Sequence, residues 1–125
     1  MTRQVVASST QGRLDPATLA ALREGLHEHR MFRLDQLRDI SESTAASANT
    51  SAPGPSPTAL ADVRRQLAAA AALALAETDA ALARIDKGCY GTCQRCGAGI
   101  GLERLYAHPQ ARYCITCHHA EESRP

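Results

Sequence analysis

Four cysteines in two closely spaced pairs are the residues of this chain best suited to chemistry. Cys93 and Cys96 form one Cys-x-x-Cys pair, Cys114 and Cys117 form the second, and residues 97–113 separate them. Each such pair lies on a short turn that directs two thiolates at one ion, so two pairs supply the sulfur tetrahedron of a structural zinc site. Four thiolates complete the coordination shell and leave no position for water or substrate. The spacing therefore predicts one structural Zn2+ ion rather than a catalytic one.

Other interpretations of the thiols stay open. Two disulfides would also use four cysteines, but Met1–Gly12 lacks the apolar core of a secretory signal, and cytosolic thiols stay reduced. The fifth cysteine, Cys89, is either a small side chain at a helix end or a redox-active thiol that exchanges with the zinc-bound sulfurs. Histidines lie beside the pairs at His108, His118 and His119, but four cysteines already fill the shell.

The composition argues against several classes of protein. Aromatic residues make up 3% of the 125 residues and tryptophan is absent, so a large globular core is not expected. The formal charge of +1 lacks the basic excess on which tight nucleic-acid binding depends. No run approaches the roughly 20 apolar residues of a membrane span, so we expect a cytoplasmic protein. With neither a nucleophile–base pair nor a phosphate-binding glycine loop, we do not expect an enzyme.

Two long helices are predicted upstream of the cysteines. The first begins at Asp15-Pro16, an acidic N-cap followed by a proline at the first helical position, and extends to about residue 40. The second runs from Thr58, as N-cap, to Lys87, with Gly88 placed to end it. Between them, residues 41–57 contain no large apolar residue and three prolines, so we predict a mobile loop.

Each helix carries a narrow apolar seam of the kind that joins two helices in a coiled coil. In the second helix, an extra spacing of four between Leu67 and Ala71 predicts a stutter that locally unwinds the coil. The predicted seam includes Leu26, Leu37, Leu67 and Leu75.

The predicted fold is mainly α: an antiparallel two-helix coiled-coil hairpin, a small four-cysteine zinc-finger module and a short C-terminal helix within residues 118–125. We expect three segments: a flexible lead over residues 1–14, the hairpin over residues 15–87 with its proline-rich tip at 41–57, and the zinc module with its tail over residues 88–125.

Residues 81–117 resemble the DksA/TraR family of bacterial zinc-finger transcription regulators. The matching features are a helix that ends in glycine, Tyr90-Gly91, Cys96-Gly97, Ile100, Arg104-Leu105, Ala107, Pro109 and Cys114-Ile-Thr-Cys117. In that family the hairpin enters the secondary channel of RNA polymerase, its tip acts near the catalytic magnesium ions, and the zinc module remains outside as a base.

The resemblance implies a regulator that binds RNA polymerase and makes no sequence-specific DNA contact. Candidate partner-binding residues are the acids at the edges of the tip and the arginines of the zinc module: Asp39, Glu42, Asp62, Arg95 and Arg104.

Two departures from the family pattern alter these expectations. Family tips carry an Asp-x-x-Asp-x-Ala pattern, whereas residues 52–58 here contain only Ala, Ser, Thr, Gly and Pro, so no magnesium-proximal carboxylate is expected. The basic residues that hold the alarmone ppGpp in other members correspond to Ala70, Glu77 and His118. Because an alanine and a carboxylate cannot replace two cations that hold phosphates, ppGpp binding is not expected.

Functions of two other classes remain open. A nucleic-acid-binding zinc ribbon with an accessory hairpin would show a steep salt dependence of its DNA affinity. A redox-responsive zinc protein that uses Cys89 would release zinc on reversible oxidation.

Overall fold

The computed structural model describes residues 14–48 and 57–123. It contains four helices: α1 (Pro16–Ala48), α2 (Pro57–Lys87), α3 (Leu102–Ala107) and α4 (Ile115–Glu122). Helices α1 and α2 form an antiparallel hairpin, as the pairing of Arg23 with Asp86 and of Arg30 with Asp79 shows. Within the described ranges, extended pairing is limited to one isolated antiparallel bridge between Thr92 and Gly99. The mainly α fold with its helical hairpin is therefore confirmed.

Local signals set the two helix ends nearest the zinc module. At the start of α1, Asp15 accepts a 3.4 Å hydrogen bond from the Thr18 backbone N–H and a 2.7 Å bond from its hydroxyl, which satisfies an N–H group that a helix start leaves unpaired. At the end of α2, Gly88 has φ +81°. The Cys89 N–H donates to the Arg84 carbonyl at 3.0 Å and the Gly88 N–H to the Ile85 carbonyl at 3.1 Å. This pair of bonds is a Schellman motif, and it needs the left-handed backbone that glycine supplies.

The predicted end of the first helix was wrong. Helix α1 continues past Ile40 to Ala48, because residues 41–48 contain neither glycine nor proline and include several alanines. Helix α2 begins at Pro57, one residue before the expected N-cap, which places the proline at the favoured first helical position. Of the loop predicted over residues 41–57, residues 49–56 lie outside the described residues. The predicted flexible lead over residues 1–13 also lies outside them.

The apolar seam of α2 also differs from the prediction in its distal half. Leu26 is fully buried and Leu37 and Leu75 are half-buried, but Leu67 is 48% exposed. The partly buried positions in this half are instead Leu60, Ala61, Arg64 and Ala68. From Ala61 the stripe reaches buried Ala71 with alternating spacings of three and four, and buried Thr78 lies seven residues farther on. The predicted stutter is therefore not needed: small alanines prolong one regular stripe, and the larger side chains of Val63 and Leu67 lie beside it.

The hairpin base and the zinc module share one hydrophobic core. The buried cluster takes two leucines from α1, two residues from α2 and the rest from the zinc module: Leu22, Leu26, Ala81, Ile85, Tyr90, Cys93, Ile100, Leu105 and Ala111. Because one cluster includes both parts, the fold of the module and the packing of the hairpin base stabilise each other.

Helix α2 is more apolar than the sequence pattern suggested. An 18-residue window within Thr58–Lys87 has a mean hydropathy of 1.2, and 17% of that window is buried. Length and composition alone would allow such a helix to span a membrane, although helices of soluble proteins meet the same criteria. Here the helix packs along α1.

Candidate metal centre

The first cysteine pair lies on a compact turn that directly follows the hairpin. The Cys93 N–H donates to the Ala98 carbonyl at 2.7 Å, and the Gly97 N–H donates back to the Cys93 carbonyl at 2.9 Å. Gly97 has φ +80°, a conformation that residues with a Cβ adopt at a cost. This turn aims the Cys93 and Cys96 sulfurs in one direction.

The second pair lies at the start of α4. Cys114 is the N-cap residue of the helix and Cys117 follows within its first turn. The helix therefore begins at Ile115, earlier than the tail helix predicted from His118 onward, because the cysteine turn continues directly into helical backbone. The Gln94 N–H donates to the Arg112 carbonyl at 2.8 Å and so fixes this segment against the first turn.

The four sulfurs converge on a single point. The Sγ atoms of Cys93, Cys96, Cys114 and Cys117 lie within 4.8 Å of one another, and those of Cys96 and Cys114 are 3.8 Å apart. A zinc tetrahedron with bonds of about 2.3 Å has sulfur–sulfur edges of about 3.8 Å. The residues thus fit a zinc ion. Among residues 14–48 and 57–123, this is the one convergent group of three or more cysteine, histidine or acidic ligand atoms.

Hydrogen bonds around the Cys93 sulfur favour its thiolate form. Cys93 is 2% exposed, and its burial by itself raises the pKa of the thiol. Backbone hydrogen bonds from Cys96, Cys114 and Arg95 outweigh that effect and lower the pKa of Cys93 to about 6. These donors stabilise a thiolate, which is the form that binds zinc.

Cys117 shows the opposite behaviour. Burial, followed by hydrogen bonds with the other three thiols, raises the pKa of Cys117 to about 12. Without a cation the cluster resists full ionisation, because the negative sulfurs repel one another. A bound Zn2+ ion would supply the positive charge that holds all four thiolates together, and its binding would release protons.

The remaining predicted metal candidates lie outside this cluster. Cys89 is exposed and is not a member of it. His118 Nε2 lies 2.9 Å from a Glu122 carboxylate oxygen, and His119 Nδ1 lies 3.7 Å from the other oxygen. Both histidines therefore face an acid on their own helix.

The five predicted partner-binding residues fall into two groups. Asp39, Glu42 and Asp62 are exposed on the hairpin beyond the shared core, with Asp62 paired to Arg65 on its own helix. Arg95 and Arg104 belong to the zinc module. The structure therefore does not bring the five together in one site.

The two arginines of the zinc module already have partners within it. Arg95 lies 3.4 Å from Glu121, and the Arg104 Nε–H donates to the Tyr113 carbonyl at 3.0 Å. Arg104 is half-buried, so it supports the module as well as its surface.

Sequence reasoning missed a set of residues that join the hairpin to the metal centre. Arg84 is 6% exposed and donates to the carbonyls of Gln110 and Ala111, both at 3.3 Å. The Tyr90 hydroxyl donates to the Pro109 carbonyl at 2.8 Å. The available signal was the position of Arg84 between Ala81 and Ile85, which places it at the edge of the apolar stripe.

Comparisons with known proteins agree with this geometry. The family of the prokaryotic dksA/traR C4-type zinc finger matches residues 88–123. An uncharacterised protein of Aquifex aeolicus is 54% identical over 48 residues, which cover 38% of this chain and 32% of that protein. The RNA polymerase-binding transcription factor DksA of Caulobacter vibrioides is 38% identical over 50 residues, covering 40% of this chain and 35% of the relative. The matched stretch thus spans about a third of the length of these relatives.

A solved structure extends the similarity to the whole chain. Transcription factor DksA2 from Pseudomonas aeruginosa superimposes with a TM-score of 0.76 and 23% sequence identity, over 99% of this chain and 98% of that one. The hairpin and the zinc module therefore have the DksA2 fold. Residues 88–123 form a zinc finger of the prokaryotic DksA/TraR C4 type, and the chain that carries this finger has the fold of a DksA protein.

Proposed function

We propose that this protein is a transcription regulator that binds RNA polymerase directly. In this proposal the α1–α2 hairpin inserts into the secondary channel and the zinc module remains outside as its base. The observation that carries the proposal is the fold, because the similarity to transcription factor DksA2 covers 99% of the chain. Two relatives that match 40% of this chain are named RNA polymerase-binding transcription factor DksA.

The charge and shape of the molecule support a protein partner in preference to DNA. The formal charge is +1, and surface arginines are paired with acids along the hairpin, as in the Arg23–Asp86 and Arg30–Asp79 pairs. Two packed helices also form a narrow rod that suits a channel. A closed shell of four thiolates leaves no position for substrate, so we infer a regulatory, non-enzymatic role in the cytoplasm, where polymerase acts.

We further propose that Gly88 divides the chain into the hairpin and the zinc module with its tail. Asp39 and Glu42, exposed on the distal part of α1, are proposed to contact the channel. Asp62, Arg95 and Arg104 are proposed as secondary contacts.

A photocrosslinking experiment tests this arrangement. A photoreactive amino acid replaces Glu42 on the distal hairpin or, as the matched control, exposed Gln94 on the zinc module, and each protein is mixed with core polymerase without DNA. We expect position 42 to crosslink to subunit segments that line the secondary channel, and position 94 to segments outside it. Excess duplex DNA is not expected to reduce either product.

Two results would contradict the proposal. In the first, position 42 does not crosslink to polymerase, and the protein binds duplex DNA with a steep salt dependence. That result would favour the zinc-ribbon function. The other is crosslinking of both positions to the same outer surface.

A further inference from the structure

A short strap connects α3 to the second cysteine pair. It consists of Pro109–Tyr113, and each of its five carbonyl groups accepts a hydrogen bond from a residue elsewhere in the fold. The Tyr90 hydroxyl donates to the Pro109 carbonyl, and the Arg84 guanidinium donates to those of Gln110 and Ala111. The Gln94 N–H donates to the Arg112 carbonyl, and the Arg104 Nε–H donates to the Tyr113 carbonyl. A segment without regular structure has thus satisfied its carbonyls as completely as a paired strand would.

The hairpin side of the strap is held by α2 and the residues that follow it. Arg84 Nη2 is 3.3 Å from the carbonyl oxygens of both Gln110 and Ala111. The Gln110 side chain reaches back and donates to the Thr78 hydroxyl at 3.1 Å, and that hydroxyl donates to a carbonyl of its own helix at 2.9 Å. Tyr90 completes the contact at Pro109.

Arg84 is an unusual residue for this place. Its side chain is a buried cation, and no carboxylate within the described ranges forms an ion pair with it. Burial accordingly lowers the pKa of the guanidinium from its ordinary value. The two carbonyl dipoles offset part of the cost of this burial, and removal of the guanidinium would leave both carbonyls without their donor. The hydrogen bonds of the guanidinium therefore go to the strap, and its charge also acts on the nearby Tyr90 phenol.

The metal side of the strap contacts both cysteine pairs. Cys114 directly follows Tyr113, so the position of the strap sets the position of the second pair. The Gln94 N–H, within the first pair, donates to the Arg112 carbonyl at 2.8 Å. A displacement of the strap would move one pair of sulfurs relative to the other.

We propose that Arg84 is a positioning residue for the metal centre, and that it acts through the Pro109–Tyr113 strap together with Tyr90. In the zinc-loaded fold, the hairpin then holds the two cysteine pairs in their zinc-binding arrangement relative to each other. Because coupling between two equilibria is reciprocal, zinc in turn fixes the hairpin against the zinc module. This inference goes beyond the proposed function and requires no polymerase.

Metal affinity provides the first test. Zn2+ dissociation constants are measured by chelator competition for the wild type, Arg84→Met and Tyr90→Phe. Arg30→Met is the matched control, because it removes an arginine that pairs with Asp79 across the same hairpin at an exposed position. Loss of supporting groups around metal ligands typically weakens affinity 10- to 100-fold. We expect about a tenfold weakening for Arg84→Met, in the lower part of that range, with Arg30→Met close to the wild type.

Two further measurements distinguish a positioning role of Arg84 from a general destabilisation of the fold by the substitution. The Co2+-substituted protein should keep the absorption spectrum of a tetrahedral four-thiolate site in Arg84→Met, because the ligands themselves are unchanged. Residual dipolar couplings of the zinc-loaded protein should fit one alignment tensor in the wild type and in Arg30→Met. In Arg84→Met, the hairpin and the zinc module should require two tensors of different magnitude.

Clear outcomes would overturn the proposal. Wild-type zinc affinity in Arg84→Met, or a single tensor for both parts of that variant, would show that the strap contacts do not position the site. If Arg84→Met does not fold, Tyr90→Phe decides, because it removes one hydroxyl only. A several-fold loss of zinc affinity in Tyr90→Phe supports the proposal, and an unchanged affinity refutes it.

Discussion

Tyr90 shows how a single side chain connects fold and stability at the residue scale. Its ring is buried in the shared core, and its hydroxyl donates to the Pro109 carbonyl. Burial raises the pKa of Tyr90 to about 12, and the nearby Arg84 charge only partly opposes that effect. The phenol therefore remains a neutral donor well beyond physiological pH.

This raised pKa predicts a loss of stability in alkali. An unfolded tyrosine has a pKa of 10.0, compared with about 12 in the fold. Between these values the unfolded state releases its proton first, so the free energy of unfolding falls as pH rises, whereas below pH 10 the contribution is fully present. Denaturant titrations of the zinc-loaded protein at several pH values between about 9 and 11.5 should show this fall. In Tyr90→Phe the fall should be smaller, and identical slopes for the two proteins would contradict the assignment.

Two glycines should respond to alanine in opposite directions. Gly88 has φ +81°, so Gly88→Ala is expected to destabilise the fold by about 1–2 kcal/mol, the cost of a left-handed residue with a Cβ. Gly25 lies inside α1, and an added Cβ would meet no atom within 4 Å. Gly25→Ala should therefore stabilise by about 0.5–1 kcal/mol. Equilibrium denaturation measures both changes, and two changes of the same sign would show that local backbone conformation does not determine them.

At the scale of elements, the two ends of the hairpin contribute unequally to stability. The base includes the fully buried Leu26, whereas the distal half of α2 uses alanines in its seam and leaves Leu67 48% exposed. Large buried side chains stabilise the base, and small ones allow close helix approach farther out. The hydrophobic contribution per turn is consequently larger near the zinc module.

Matched leucine substitutions test this gradient. Leu26→Ala should cost about 2–5 kcal/mol, because it opens a cavity in the shared core. Leu67→Ala, with the same change in side-chain size on the same hairpin, should cost less than about 1 kcal/mol. The comparison uses denaturant midpoints at fixed zinc concentration. Equal costs would show that Leu67 is buried in solution.

Zinc removal should unfold the module. The finger is too small to maintain its arrangement of thiols without the ion, so chelation should disorder residues 88–117 and loosen the hairpin base that shares its core. Hydrogen exchange reports this directly, because the amides of Cys93, Gln94 and Ile100 are bonded to module carbonyls. These amides should exchange rapidly in chelator and regain protection when Zn2+ is restored. Protection that persists in metal-free protein would contradict the prediction.

At the scale of the whole molecule, the surface between α2 and the zinc module carries mixed charge. A cleft there is lined by groups of both signs, including Glu77, Arg104, His108, His118 and Glu121. Burial, together with Arg104, lowers the pKa of His108, which favours its neutral form at physiological pH. The cleft contains Glu77, which occupies a position where the family resemblance implies a cation in members that bind ppGpp.

Under the proposed function, transcription assays with purified polymerase should accordingly show that ppGpp changes the effect of this protein little. Substitution Glu77→Lys combined with Ala70→Arg would supply two cations, and we expect this variant to gain a ppGpp response. Polymerase binding without ppGpp should be similar for both proteins. Strong potentiation of the wild type by ppGpp, absent when the protein is omitted, would show that phosphates bind despite Glu77.

The sequence alone determined the features that depend on neighbouring residues. Two Cys-x-x-Cys turns identified the metal ligands, because geometry within a turn is local. Asp15-Pro16 and Gly88 located helix ends, because the unpaired groups at a helix end are satisfied within a few residues. The loop composition near residues 41–57 was less informative, since alanine, serine and glutamate extend α1 as readily as they form a loop.

Only the tertiary structure decided which faces meet. An α-helix resists twisting about its own axis. The contacts at the base therefore determine which face of α2 meets α1 along the whole length of the helix. The stripe that faces α1 is therefore Ala61, Arg64 and Ala68, although Leu67 is the more hydrophobic residue. Likewise, Arg84 appears in the sequence as an ordinary helical arginine. It is buried because the strap, 26 and 27 residues farther along the chain, folds back across it, and pairing over that separation cannot be inferred from local pattern.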